Sequence, residues 1–269
     1  MSFQKLLAVL TVGLVVGCGD DETNPSAKAL TISFQSVVGD EDFGCDQVFE
    51  NIGTNASSLT ITDNRLYISN IRVVDDAGVE HPLELAQDGV WQFEDVVLLD
   101  FEDGTGNCTN GNEPTNLQAV GTTSATSYAG VVFDLGIPES LNHSDSAIMP
   151  SPLNLTSMWW SWQGGYKFVR LEGSTSELDG WRLHLGSTAC TGDPGSEISC
   201  SNKNRPEVRL DGPVDTDPIL FDIADLLKSS DLSQDAGGAV GCMAGSDDPE
   251  CAPLFETLGI SGTQSAFRF

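Results

Sequence analysis

Six cysteines, Cys45, Cys108, Cys190, Cys200, Cys242 and Cys251, follow a stretch that reads as an export leader, and crosslinks among them limit the fold more than any other feature. Lys5 precedes an apolar run over residues 6–16 that stops at Gly17-Cys18. The run is too short for a bilayer span, which takes about 20 apolar residues, and its basic start, apolar middle and small terminal residue are the pattern of a secretory signal. Export places the cysteines in oxidising surroundings, where an even set is expected to pair. Six allow about fifteen pairings, and local spacing narrows them. Cys190 and Cys200 flank one Gly/Asp/Pro loop and Cys242 and Cys251 another, so each pair is expected to close its own loop, leaving Cys45 with Cys108. The competing zinc or iron–sulfur reading lacks any Cys-x-x-Cys.

Cys18 itself has a different expectation. Val15-Val16-Gly17-Cys18 resembles the bacterial lipobox, whose cysteine is lipidated and begins the mature chain. Residues 1–17 are then a lipoprotein signal peptide, 18–28 a polar flexible tether and 29–269 one β-rich domain. Gly19 after the cysteine points to an outer-membrane lipoprotein, facing the periplasm or the cell surface. No other run of about 18 apolar residues occurs, so membrane contact is expected only through the lipid anchor. With 12 Lys+Arg against 40 Asp+Glu and a net charge of -28, the chain repels phosphate polymers, which excludes nucleic acid as a partner.

Alternating or β-rich runs recur at residues 30–38, 58–62, 65–75, 90–99, 128–135, 166–171, 181–185 and 208–210, separated by Gly/Asp/Asn/Ser clusters. One helix is expected around 218–229, where Leu220, Ile223, Leu226 and Leu227 share a face. With 28 Gly and 12 Pro, this predicts an all-β chain: a single β-sandwich-like domain with long disulfide-tied loops and one short helix.

Three histidines are few enough to take singly. His81 precedes Pro82 and reads as an ordinary surface residue. His143 lies in a turn-rich segment with Asp145 nearby. If 181–185 is a strand, His184 shares a face with Arg182, and Leu183 and Leu185 take the other. Residues 158–168 hold Met158, Trp159, Trp160, Trp162, Tyr166 and Phe168, although the chain has only five Trp. Such a cluster suits a sandwich core, a platform for sugars, or a redox or metal site in which thioether, imidazole and indole favour copper over hard cations. Calcium is a second candidate cation, at the acidic loops 100–104 and 215–217, though neither is an EF-hand. No Gly-x-Ser-x-Gly, His-Glu-x-x-His or phosphate loop occurs, so the chain is expected not to be an enzyme.

The local signatures together resemble the MbnP-like family of exported copper-binding proteins, also described as the four-Cys-motif member of a metallo-mystery pair. The residues that carry the resemblance run in one order from about 29 to 259: Phe43-Gly44-Cys45; Leu66-Tyr67-Ile68-Ser69-Asn70-Ile71; Leu98 to Gly104 ahead of Cys108; Phe133 to Pro138 leading to Asn142-His143; Pro152-Leu153-Asn154; Met158 to Phe168; His184-Leu185-Gly186-Ser187 ahead of Cys190; and the Cys242/Cys251 end. The resemblance implies copper held by His143 and His184. It also implies a di-haem cytochrome c peroxidase-like (MbnH-like) partner that oxidises a tryptophan to kynurenine. Trp160 and Trp162 are the candidates, since both fit Trp-x-Trp-Gln, and Met158 is a further soft-ligand candidate. The runner-up is a cell-surface lipoprotein that binds a glycan or a protein through the Trp cluster.

Overall fold

The computed structural model describes residues 27–109, 111–161, 163–193 and 197–269. The expected leader, Cys18 and Trp162 lie outside the described residues.

The strand Ser57–Val74 is the spine of the domain. The sequence divides it into two runs because Asp63 and Asn64 interrupt the apolar alternation. The backbone nonetheless continues: Glu172 pairs with Asp63 and Gly173 with Ile61, so Thr62 is passed over in a bulge that re-phases the strand. Around this spine a ten-stranded sheet runs in the order Glu207–Asp211, Gly130–Leu135, Ser57–Val74, Val169–Thr175, Trp181–Leu185 and Gly241–Cys242, with Phe49–Ile52, Glu80–Pro82 and Val96–Asp100 also paired to the spine and Gln92–Phe93 paired to Val96–Asp100. A six-stranded sheet is centred on Lys28–Val38, which lies parallel to Ile219–Asp222 and antiparallel to Gln118–Thr123. The fold is all-β and sandwich-like.

Alternation explains what fills the space between the sheets. Lys28–Val38 buries Leu30, Ile32 and Phe34 with a period of two, whereas Gly130–Leu135, inside the larger sheet, buries Val131, Val132 and Phe133 in succession. Phe34 meets Phe133 edge-on at 5.9 Å, Phe133 meets Phe267 at 5.4 Å, and Phe267 lies 5.1 Å from Phe221. Phe133 comes from the larger sheet and the other three from the smaller, so the ring cluster couples the two. Burial of each such side chain contributes about 1.5–3 kcal/mol.

The helices differ from expectation. Residues 219–222 form a strand, because Ile219 and Phe221 point into the core beside Lys28–Val38; the helix begins only at Ile223–Leu227, where Asp222 accepts from the backbone N–H groups of Ala224 and Asp225. Two further short helices, Glu139–Asn142 and Cys251–Leu258, are present. No helix among the described residues is long and apolar enough to cross a membrane. Three disulfides tie the loops: Cys45–Cys108 closes across 63 residues, Cys190–Cys200 staples the hairpin of Thr188–Thr191 and Ser199–Asn202, and Cys242–Cys251 joins the last sheet strand to the start of the longest helix.

Candidate metal centre

One row of side chains crosses four strands of the larger sheet. Asp100 is opposite Arg65, Arg65 opposite Arg170, and Arg170 opposite His184. A second row places Asp63 opposite Glu172 and Glu172 opposite Arg182. Alternation sends Leu171, Leu183 and Leu185 to the core and leaves these groups together on the other face, where Asp63, Arg65, Asp100, Glu102 and His184 are all buried. The charges are paired: Arg65 with Asp63, Arg170 Nη1 with Asp63 Oδ2 at 3.2 Å, and Arg170 Nε with Glu172 Oε1 at 2.8 Å.

His184 ends this network. Its Nε2 lies 2.6 Å from Glu172 Oε1, while Nδ1 is buried with no hydrogen-bond partner. Burial lowers the imidazole below its ordinary value despite the hydrogen bond to Glu172, so the ring is neutral at pH 7. Burial pushes Glu172 the other way, but hydrogen bonds from His184 and Arg170 outweigh it and hold the carboxyl well below the usual range. The pair is therefore a carboxylate accepting from Nε2–H, which turns the Nδ1 lone pair outward from the network as a donor atom. Burial beside Arg170 also lowers Lys167 to about 8, and its Nζ donates to the carbonyl of Ser157. Burial raises Asp100 to about 8, opposed by Arg65 and reinforced by Glu102.

His143 has other surroundings. It is half-buried at the end of the Glu139–Asn142 helix, with Nε2 3.3 Å from Cys200 Sγ and 3.3 Å from Asn142 Nδ2, and it lines a cavity of about 380 Å³ with Glu139 and Glu197. Asn142 Oδ1 accepts from the backbone N–H of Tyr166, and Asp145 accepts from that of Ala147. The cavity beside His143 is not lined by His184, which belongs to the strand network with Glu172. Metal-ligand groups of three form at His143, Cys190 and Cys200 and at Cys242, Asp248 and Cys251, but the cysteines of both are in disulfides and offer no thiolate.

Trp160 packs at the end of the strand that carries His184. Its ring packs on Gly186, two residues beyond His184, where a Cβ would stand 2.6 Å from Cζ3. It also lines an open cavity of about 510 Å³ with Cys190 and Met243, and Cys190 is bonded to the Cys200 that faces His143. Trp159 is partly buried against the core, its Nε1 without a partner. Met158 is fully buried and packs in the hydrophobic core. His81 bonds Asp75 at 2.9 Å and Ser124 at 3.1 Å. At the acidic loops, Asp103 holds Thr105, Asp215 and Asp217 are exposed, and no three carboxylates gather at ligand spacing among the described residues.

Glu172 and Arg170 are the site residues that sequence reasoning missed. Alternation along Val169–Thr175 places both on the polar face; only the pairing with Trp181–Leu185 brings them to His184.

The chain is a disulfide-tied, sandwich-like all-β protein that carries a buried, carboxylate-oriented histidine. Residues 27–244 match the MbnP family model, and the chain belongs to that family. It is similar to MbnP from Methylosinus trichosporium, with 33% identity, a TM-score of 0.78 and coverage of 87% of this chain and 89% of that one. No curated protein matches the chain.

Proposed function

We propose that the protein is an exported, lipid-anchored copper-binding protein, attached through Cys18, that acts with a di-haem cytochrome c peroxidase-like partner which oxidises Trp160 or Trp162 to kynurenine. The observation that carries the reading is His184, whose Nε2–H is committed to Glu172 while Nδ1 is buried and unpartnered. Histidines that ligate metals usually donate their second nitrogen to a carboxylate in this way. His143 is the second ligand the family resemblance implies. Copper, when bound, supplies a soft, redox-active centre for which neutral imidazole is a suitable donor.

The chain's own residues bind and orient. Glu172 fixes the ring and tautomer of His184, Arg170 fixes Glu172, and Gly186 gives Trp160 room to lie beside the strand end. The large excess of carboxylates raises the local concentration of cations without defining a site.

Intact mass and metal content of protein from its native host test this reading. It expects bound copper and a tryptophan with the mass change of kynurenine, and His184→Ala and His143→Ala are each expected to remove a tight copper site without unfolding the domain. Unmodified tryptophans and no copper sink it. The wide cavity at Trp160, edged by Gln163, Ser187 and Thr188, favours a glycan-binding surface as the second reading, in which Trp160→Phe abolishes ligand binding and copper stoichiometry stays at zero.

A further inference from the structure

Of the six described cysteines, five are buried and Cys190 alone is half-exposed. The difference has a topological cause. Cys242 and Cys251 belong to the hydrophobic core and Cys108 is fully buried, whereas Cys190–Cys200 crosses a two-stranded hairpin outside both large sheets. Cys190 lines the open cavity of about 510 Å³ beside Trp160, where a dissolved thiol has room to approach, while its partner Cys200 is 7% exposed. This is therefore the disulfide most open to exchange, which depends on access to one of the two sulfurs.

The buried sulfur faces an imidazole. Cys200 Sγ lies 3.3 Å from His143 Nε2, and the two sulfurs and a ring nitrogen of His143 fall within 4.8 Å of one another. The neighbouring amide fixes which form of the ring is present. Asn142 Oδ1 accepts from the backbone N–H of Tyr166, so it is the amide NH2 group that stands 3.3 Å from Nε2. An amide NH2 only donates, and Nε2 therefore accepts with its lone pair, the same lone pair by which a neutral imidazole binds a metal. The sulfurs are different: a thiolate is a metal ligand, and neither cysteine is one while the S–S bond stands. What separates these three side chains from a metal site is two electrons.

We propose that Cys190, Cys200 and His143 form a thiol-gated site for monovalent copper, closed in the disulfide form and opened by a dithiol reductant. A thiolate of the dithiol attacks the accessible Cys190 sulfur, the S–S bond breaks and Cys200 leaves with the electron pair; the second sulfur of the dithiol then releases Cys190. The cysteine pair gains two electrons and two protons, and the dithiol becomes a disulfide. Copper(I) displaces both thiol protons and is held by two thiolates and His143 Nε2. Two soft sulfurs and one imidazole suit Cu(I), whereas structural zinc takes a fourth ligand and hard cations prefer oxygen. The site goes beyond the copper reading above: in the reduced chain it groups His143 with sulfur, and it does not need His184.

The test uses the full chain carrying His184→Ala, which removes the copper site read above and leaves these three side chains in place. Brief treatment of the folded, metal-free protein with dithiothreitol, then alkylation and peptide mass mapping, is expected to label Cys190 and Cys200 and to leave the cysteines of the other two disulfides unlabelled. After anaerobic removal of the dithiol, titration of Cu(I) against a chromogenic chelator is expected to show one tight equivalent in the reduced protein and none in the oxidised protein. Adding His143→Ala weakens that binding about tenfold or more, since changing even an outer partner of a ligand costs about 10–100-fold. X-ray absorption at the copper edge of the reduced protein is expected to show two sulfur neighbours and one nitrogen, a readout that needs no cysteine variant and so does not depend on the hairpin folding without its crosslink. Labelling spread equally over all three disulfides, copper binding unchanged by reduction, fewer than two sulfur neighbours, or affinity indifferent to His143→Ala overturns the proposal. Absence of copper from the oxidised wild type sinks the earlier copper reading without touching this site, so the two fail separately.

Discussion

His184 Nε2 lies 2.6 Å from Glu172 Oε1 although the strand register sets His184 opposite Arg170, so the contact runs diagonally between the Val169–Thr175 and Trp181–Leu185 strands. Arg170 turns its guanidinium onto the same carboxylate at 2.8 Å, and the three side chains brace one another. Glu172→Gln keeps an acceptor but removes the charge. Under the copper reading it lowers copper affinity about 10–100-fold, the usual loss when an outer partner of a ligand histidine is changed. Competition against a Cu(I) chelator reads this out, and unchanged affinity dissociates His184 from copper.

In the metal-free protein, His184 is expected to titrate below the ordinary histidine value of about 6.5, because burial outweighs its hydrogen bond to Glu172. The unfolded chain then takes up a proton at higher pH than the folded one, so this residue's contribution to stability is present above the ordinary value and is lost as pH falls. Imidazole chemical shifts followed by NMR give the midpoint. A value at or above that of a free histidine contradicts the buried, neutral assignment.

Asp100 works in the opposite sense. Its carboxyl is raised to about 8, first by burial, so the folded chain holds a proton there that the unfolded chain has released. Its stabilisation is complete below about 3.9 and is lost as pH rises towards the folded value. Asp100→Asn mimics the protonated form and should be more stable than wild type by about 1–3 kcal/mol at pH 9, with the difference vanishing in acid. Urea denaturation at several pH values measures it; a pH-independent difference would show that Asp100 does not change protonation on folding.

Gly186 makes room for Trp160. A Cβ there would stand 2.6 Å from the ring and 2.6 Å from the backbone oxygen of Tyr166, and the second contact cannot be relieved by turning a side chain. Gly186→Ala should cost about 1–3 kcal/mol, as overpacking does, and shift the tryptophan emission. Thermal unfolding with fluorescence detection tests both.

Cys45 and Cys108 join segments 63 residues apart, the longest span of the three disulfides. Chain-entropy reasoning gives about 4 kcal/mol for a loop of that size, and roughly 3 or less for the two short loops. The double variant Cys45→Ala/Cys108→Ala should accordingly lose more thermal stability than Cys242→Ala/Cys251→Ala. The reverse order would show that native contacts, not loop closure, set the effect.

Strands whose side chains alternate regularly were legible in the sequence: Lys28–Val38 and Trp181–Leu185 lie close to the limits read from periodicity. The spine was not, because a bulge at Thr62 breaks the period without breaking the strand. The Cys251–Leu258 helix was hidden by the acidic turn before it and by Pro253, which a first helical turn tolerates. Residues 219–222 carry a helical-looking spacing that parallel pairing with Lys28–Val38 overrides. In the candidate site, residue type alone drew attention to His143, His184 and Trp160, whereas Glu172 and Arg170 look like ordinary strand-surface charges.

Local chemistry by itself determined the all-β class, the apolar face of each regular strand and the few side chains suited to a soft metal, since these depend on residue type and a period of two. Which face-mates meet depended on tertiary structure alone. Strand register and loop placement are non-local: they bring Glu172 to His184 from 12 residues away, Arg65 to Arg170 from another strand, Trp160 onto Gly186, and His143 to Cys200. A shift of register by one residue would turn every one of those strand side chains to the opposite face.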